Sequence, residues 1–266
     1  MIELKTESAC SKTLLSPVRV FHGDCLELMK DIPNGSIDMI LCDLPYGTTQ
    51  CKWDVIIPFD KLWEQYERII KSNGAIVLTA SQPFTSSLVM SNINNFKYEA
   101  IWEKPNPSNF TFAKKGIMKF HESILIFYKN VPTYNPQMWI GEKNHGSIQG
   151  KRKIDNESGA NLKIVPKNTS NIKYPKSVIK INREMGLHPT QKPVPLFEWL
   201  IKTYTNEGET VLDNCAGSGT TGIACINTNR NCILIEKEEK YFDIINERIA
   251  KHTQQRAGEF SFENEL

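Results

Sequence analysis

The chain has 266 residues, 40% of them hydrophobic and 23% charged, with a formal net charge of +2. This suits one α/β domain with a sizeable insertion better than two equal domains. The seven cysteines form no Cys-x-x-Cys pair and are odd in number, and no apolar run has the length of a membrane span, which argues against a disulfide framework, a zinc site or a membrane-embedded chain.

Short β-rich runs alternate with helical patterns, as in a mostly parallel sheet covered by helices. Val18 to His22 reads as a strand ending in Gly23-Asp24, and Ile37 to Cys42 as a central strand, nearly all apolar. Phe59 to Lys71 has helical apolar spacing and stops at Asn73-Gly74. Ala75 to Ala80 is a third strand, a helix follows Pro83 to about Ser91, and Tyr98 to Glu103 and Ser123 to Lys129 are two more strands. From Asn130 to Leu187 periodicity is lost, and Asn, Lys, Gly and Ser dominate, as in an irregular insertion. Within it, Lys143 to Arg183 carries ten basic residues against Asp155 and Glu157, a net +8 on a body of −6. Such a block is either a surface for a polyanion or a solvated lysine-rich loop. Regular structure resumes with a helix from Pro193 to about Thr205, a strand Thr210 to Cys215, a helix Thr220 to Asn227, a strand Asn231 to Glu236 and a helix Glu238 to Lys251. His252 to Leu266 reads as a loose polar tail. Met1 to Ser16 is too polar for a signal peptide, and a soluble cytoplasmic chain with reduced thiols is expected.

Two motifs carry chemistry. Asp213-Asn214-Cys215-Ala216-Gly217-Ser218-Gly219-Thr220-Thr221-Gly222 runs from a strand through a glycine turn into a helix, and Glu236 ends the next strand. Glycines let the backbone approach a ligand, and a carboxylate on the neighbouring strand accepts ribose hydroxyls. Alone this fits a nicotinamide oxidoreductase, a methyltransferase or a tight structural turn. The second motif, Asp43-Leu44-Pro45-Tyr46-Gly47, follows the buried strand at its C-terminal end, where ligands bind in open α/β sheets. An exocyclic amine is a poor nucleophile because its lone pair is delocalised into the ring. Two acceptors on its two hydrogens, the Asp43 carboxylate and the Leu44 carbonyl, would localise that pair. Pro45 stiffens the turn and Tyr46 offers a face on which an extruded base stacks.

On these residues the chain resembles the amino-methylating DNA methyltransferases, in the subgroup (the beta class) whose catalytic Asp-x-Pro-Tyr motif precedes the cofactor glycine motif. His188-Pro189-Thr190-Gln191-Lys192-Pro193, Trp102 to Pro107 and His121-Glu122 also match that family's later motifs. The resemblance implies a circularly permuted, doubly wound, seven-stranded mixed sheet whose last catalytic-half strand is antiparallel. It implies a catalytic half 1–129, a target-recognition insertion 130–187, a cofactor half 188–251 and a tail 252–266. S-adenosylmethionine would be held by Asp24, Thr190, Lys192, Asp213, Gly217, Ser218, Gly219, Thr220 and Glu236, with Lys192 suited to its carboxylate and no metal. The partner would be double-stranded DNA with a flipped base, the chain a monomer or homodimer, with a restriction nuclease as a further expected partner. Asp at 43 and Trp53 favour adenine N6 over cytosine N4 by resemblance only. Leu44 departs from the family's first proline, and Asn214-Cys215-Ala216 from its usual Pro-Phe-x. A DNA-binding remnant without activity would not need so complete a set of site residues.

Overall fold

The computed structural model of the chain describes residues 18–49, 51, 54–142, 171–184 and 191–263. In chain order its elements are β1 (Val18–His22), α1 (Cys25–Leu28), β2 (Ile37–Asp43), α2 (Phe59–Ile69), β3 (Ile70–Ala80), α3 (Phe84–Ser91), β4 (Phe96–Glu103), β5 (His121–Phe127), β6 (Trp139–Ile140), β7 (Ile172–Lys173), β8 (Val178–Lys180), α4 (Val194–Tyr204), β9 (Thr210–Asp213), α5 (Thr220–Asn227), β10 (Asn231–Glu236) and α6 (Glu239–Glu263).

The main sheet has the order β1-β10-β9-β2-β3-β5-β4-β8. From β1 to β3 all neighbours are parallel. β5, the last strand before the insertion, is antiparallel to β3 and β4, as expected. The two directions of winding part between β2 and β9, which pair through Met39–Val211 and Ile40–Leu212. Ligands bind at such a switch point in open α/β sheets. It brings the C-terminal ends of β2 and β9, with Asp43 and Asp213, to one end of the sheet.

The central strands bury both faces, and the period of two divides their side chains between two helical layers. Met39, Leu41, Val77, Val211 and Leu234 pack under α4, α5 and α6. Ile40, Cys42, Ile76, Leu78, Leu212 and Ile235 pack under α1, α2 and α3. The apolar stripe of α2 (Leu62, Trp63, Tyr66, Ile69) is buried in the second layer, each large side chain contributing on the order of 1.5–3 kcal/mol.

Three expectations need correction. The sheet has an eighth strand: β8, inside the supposedly irregular insertion, adds parallel to β4, and β6 pairs antiparallel with β7. Ile179 is the buried residue of β8, and Trp102 Nε1 donates to the Ile181 carbonyl at 2.9 Å just beyond it. Helix α2 ends at Ile69 rather than near Asn73, and the chain passes directly into β3. Lys71 is tied to Asp38 at 2.6 Å, and the pairing with β2 is irregular between Ile37 and Met39. A Cβ on Gly74 would lie 2.8 Å from the Asp38 carbonyl, so the glycine permits this close passage. Finally, α6 continues through the expected tail to Glu263. His252 Nε2 lies 2.6 Å from Asn227 Oδ1, and Arg256 donates to the Ile226 carbonyl, which docks the extension on the end of α5.

Candidate active site

Both motifs face one cleft of about 380 Å³ at the switch point. Asp24, Asp43, Leu44, Pro45, Tyr46, Lys192, Asp213, Gly217, Ser218, Thr220 and Glu236 all line it. Thr190, with His188 and Pro189, lies outside the described residues, as do Trp53 and residues 143–170 of the basic segment.

On one side stands the end of β2. Asp43 Oδ1 accepts from the Tyr46 hydroxyl at 2.6 Å and from the Thr79 hydroxyl. Asp43 Oδ2 meets the Lys192 ammonium at 2.5 Å. Thr79 is the in-register partner of Asp43 on β3, so the sheet itself aims its hydroxyl. One face of Tyr46 stacks on Phe84, ring centroids 5.1 Å apart at 25°. Burial, then the charges of Asp43 and Glu122, push the Tyr46 hydroxyl well above the usual phenol range, so it remains a donor. The loop after Tyr46 is held from within. Asp54 accepts from the backbone N–H of Gly47, Thr48 and Thr49 at 2.8, 2.9 and 2.7 Å. Burial alone would raise the Asp54 carboxyl; those donors and the Thr49 hydroxyl outweigh it and hold it below the usual range.

On the other side stands the glycine loop. Gly217 and Gly219 take φ of 53° and 78°, the left-handed region that favours glycine. Glu236, at the end of β10, accepts from Gly217 N at 2.7 Å and from Glu238 N at 2.8 Å. A carboxylate has about four acceptor positions, so not all are taken and Glu236 can still accept from hydroxyls in the cleft. Asp24 caps α1 through Leu26 N at 3.0 Å and meets Lys237 at 3.1 Å. Asp213 is turned inward. It accepts from Cys215 N at 3.1 Å and from the Thr221 hydroxyl, tying the strand end to α5. Burial pushes its carboxyl up to about 6, against the pull of those donors. The Ser218 carbonyl accepts from Arg248 at 2.9 Å, and Thr220 Oγ1 donates to the Lys192 carbonyl at 3.3 Å.

Lys192 is the residue whose placement differs most from its expected role. Its ammonium lies on Asp43 and Glu122 rather than pointing along the glycine loop. Thr79, Asp54 and Phe84 had no reading in the sequence. Thr79 had a signal: it is the one polar side chain in the run Ala75-Ile76-Val77-Leu78-Thr79-Ala80. Among the described residues, no group of His, Cys, Asp and Glu is arranged to hold a metal ion. Likewise, no helix there is long and apolar enough to cross a membrane.

Against known proteins, the sequence matches the DNA methylase family over residues 37–247. The type II methyltransferase M2.MboI of Moraxella bovis is 30% identical over 274 residues, spanning 91% of this chain and 90% of that one. The DNA adenine methyltransferase YhdJ of Escherichia coli (strain K12) is 30% identical, over 84% of this chain and 79% of its own. A solved structure of an M1.HpyAVI–SAM complex superposes with a TM-score of 0.59 at 26% identity, covering 87% of this chain and 99% of that one.

Proposed function

The chain belongs to the DNA methylase family, and on that premise we propose that it transfers the methyl group of S-adenosylmethionine to N6 of an adenine extruded from double-stranded DNA. The observation that carries the reading is the meeting, in one cleft, of Asp43-Leu44-Pro45-Tyr46 with the Gly217–Glu236 cofactor loop. It is also the reading of the Asp-x-Pro-Tyr-first subgroup, with a catalytic half 1–129, a recognition insertion 130–187 and a cofactor half 188–251. A cytoplasmic, DNA-directed enzyme fits the basic segment on an otherwise acidic chain.

The cleft residues suit the cofactor. Glu236 keeps acceptor positions for ribose hydroxyls, and Gly217, in the left-handed region, lines the cleft with its backbone. Asp24 also lines the cleft, and the family resemblance puts it near the cofactor's adenine, while Ser218 and Thr220 flank the turn into α5. Bound there, S-adenosylmethionine supplies a methyl group already activated by a sulfonium. The protein's work is therefore alignment and electrostatics. Of about four acceptor positions on Asp43, three are engaged, which leaves one for an amine hydrogen. The Leu44 carbonyl supplies the second acceptor, and gripping both hydrogens localises the nitrogen lone pair. Tyr46 holds the base by its ring while Phe84 supports the ring from behind. After transfer the nitrogen is cationic and strongly acidic, and it sheds a proton toward Asp43 and solvent.

The test is to express the chain in a host without DNA methyltransferases and sequence its DNA with modified-base detection. N6-methyladenine at a recurring site is expected. N4-methylcytosine would move the assignment to the other amine, and unmodified DNA would overturn the reading.

A further inference from the structure

Behind Asp43 the charges continue. Lys192 Nζ is 2.5 Å from Asp43 Oδ2 and 3.2 Å from Glu122 Oε2, and Lys104 Nζ is 2.8 Å from Glu122 Oε1. The result is an alternating chain, Asp43–Lys192–Glu122–Lys104, drawn from the end of β2, the segment before α4, the start of β5 and the residue after β4. The lysine side chains are 6% and 2% exposed. Glu122 Oε2 makes no well-formed hydrogen bond although it is buried and Lys192 lies near it. Burial would raise the Glu122 carboxyl, but Lys192 and Lys104 overcome it and keep the group ionised. Buried ion pairs are expensive to desolvate, and apolar residues of similar size often serve stability as well. The position of this chain against the catalytic carboxylate gives it a different use.

We propose that Glu122 is a positioning residue for methyl transfer, which acts through Lys192 to set the charge around Asp43. The inference rests on the methyltransferase reading above. During transfer the amine lone pair becomes the new N–C bond, the pair of the broken C–S bond stays on sulfur, and an N–H proton then leaves toward Asp43 and solvent. Positive charge grows on the amine nitrogen, and a lone ammonium beside Asp43 would oppose it. Glu122 supplies the second negative charge, so Asp43, Lys192 and Glu122 together carry −1. It also shares the ammonium, which limits how far Lys192 occupies the acceptor that the amine needs. Lys104 balances Glu122 from the far side and brings the whole chain to neutrality.

Because the effect is one of charge balance, a second substitution should repair the first. Glu122→Gln leaves Asp43, Lys192 and Lys104 at +1. Combining it with Lys104→Met returns the chain to zero. In single-turnover transfer to unmethylated genomic DNA, Glu122→Gln is expected to slow the step roughly 10- to 100-fold, less than the 10²–10³ typical of a directly contacting donor. The apparent affinities for DNA and cofactor should stay within about twofold of wild type, which separates an effect on the transfer step from a loss of packing, and Lys104→Met/Glu122→Gln should recover most of the loss, the non-additive result expected of two contacting charges. A double variant no faster than Glu122→Gln, or a Glu122→Gln enzyme within about twofold of wild type, overturns the proposal. If Glu122→Gln does not fold, the double variant decides against wild type: a rate within about fivefold supports the proposal, and a larger loss overturns it. An inactive wild-type chain would instead remove the methyltransferase reading, and this inference with it.

Discussion

Asp43→Asn is a severe test of the catalytic geometry because it changes almost no volume. The asparagine carbonyl has two acceptor positions in place of about four. The Tyr46 and Thr79 hydroxyls already claim two on Oδ1, so none is left for the target amine. The new NH₂ would instead face the Lys192 ammonium, which now lies 2.5 Å from Oδ2. Removing an interaction made with developing charge costs about 2.7–4 kcal/mol, or roughly 10²–10³ in rate. Methyl incorporation into unmethylated genomic DNA should fall by at least that factor. Cofactor binding by calorimetry should hold, because neither Glu236 nor Asp24 touches Asp43 in the structure. A companion variant, Thr79→Val, removes one donor from Oδ1 without removing the charge and should cost less than about tenfold. An Asp43→Asn enzyme retaining more than a tenth of wild-type rate would refute the acceptor count and with it the assignment of Asp43.

Tyr46→Phe loses the 2.6 Å bond to Asp43 but keeps the ring on Phe84, so it should keep much of the activity, while Tyr46→Ala should lose about 1–3 kcal/mol of base stacking; equal loss in both would give the role to the hydroxyl. Asp213, raised to about 6 by burial, holds its proton in the folded state where the unfolded chain, near 3.9, has released it. Between about pH 4 and pH 6 the folded state therefore binds more protons and stability falls as pH rises. Denaturant unfolding should show Asp213→Asn gaining on wild type by up to about 3 kcal/mol from pH 4 to pH 7, and a gap that stays constant with pH would refute the perturbation. Replacing Lys151, Arg152 and Lys153 with Ala should flatten the dependence of DNA affinity on salt by about 0.9 in log–log slope for each phosphate no longer neutralised, with cofactor affinity unchanged; coincident slopes would show that this cluster does not touch the phosphates.

The strand runs and the two motifs were legible because each depends on local pattern. A short, mostly apolar run such as Ile37 to Cys42 fits a buried central strand, and an acid directly after it then stands at the strand's C-terminal end. Strand β8 was not legible, because Ser177-Val178-Ile179-Lys180 is too short to assert a period and gains its structure from the exposed flank of β4. The length of α6 was hidden for a similar reason: past Lys251 it is docked by His252 on Asn227 and by Arg256 on the Ile226 carbonyl, both far away in sequence. At the site, the missing residues are those that act across the fold. Asp54 reads as one acid in a loop until three backbone N–H groups converge on it. The Lys192 ammonium suits any nearby anion, and only the geometry reveals that the nearest are Asp43 and Glu122.

Separating the catalytic and cofactor motifs by about 170 residues (from 43 to 213) poses a mechanical problem, since an error of about 1 Å in the approach of donor and acceptor can cost on the order of a hundredfold in rate. The two halves meet at adjacent strands, but a short pairing of two residues between β2 and β9 is a thin register for that tolerance. Two buried links supplement it. The Tyr66 hydroxyl, on the helix that covers the catalytic half, donates to Asn214 Oδ1 at 2.5 Å inside the glycine loop. Lys192 offers its backbone carbonyl to Thr220 at the start of α5 while its ammonium reaches Asp43. Asn214, at a position where the family more often has an apolar residue, is the acceptor of this hydrogen bond between the halves. Lys192, placed between the halves, is fixed at its backbone by Thr220 and at its charge by Asp43, so any shift of one motif strains its hold on the other.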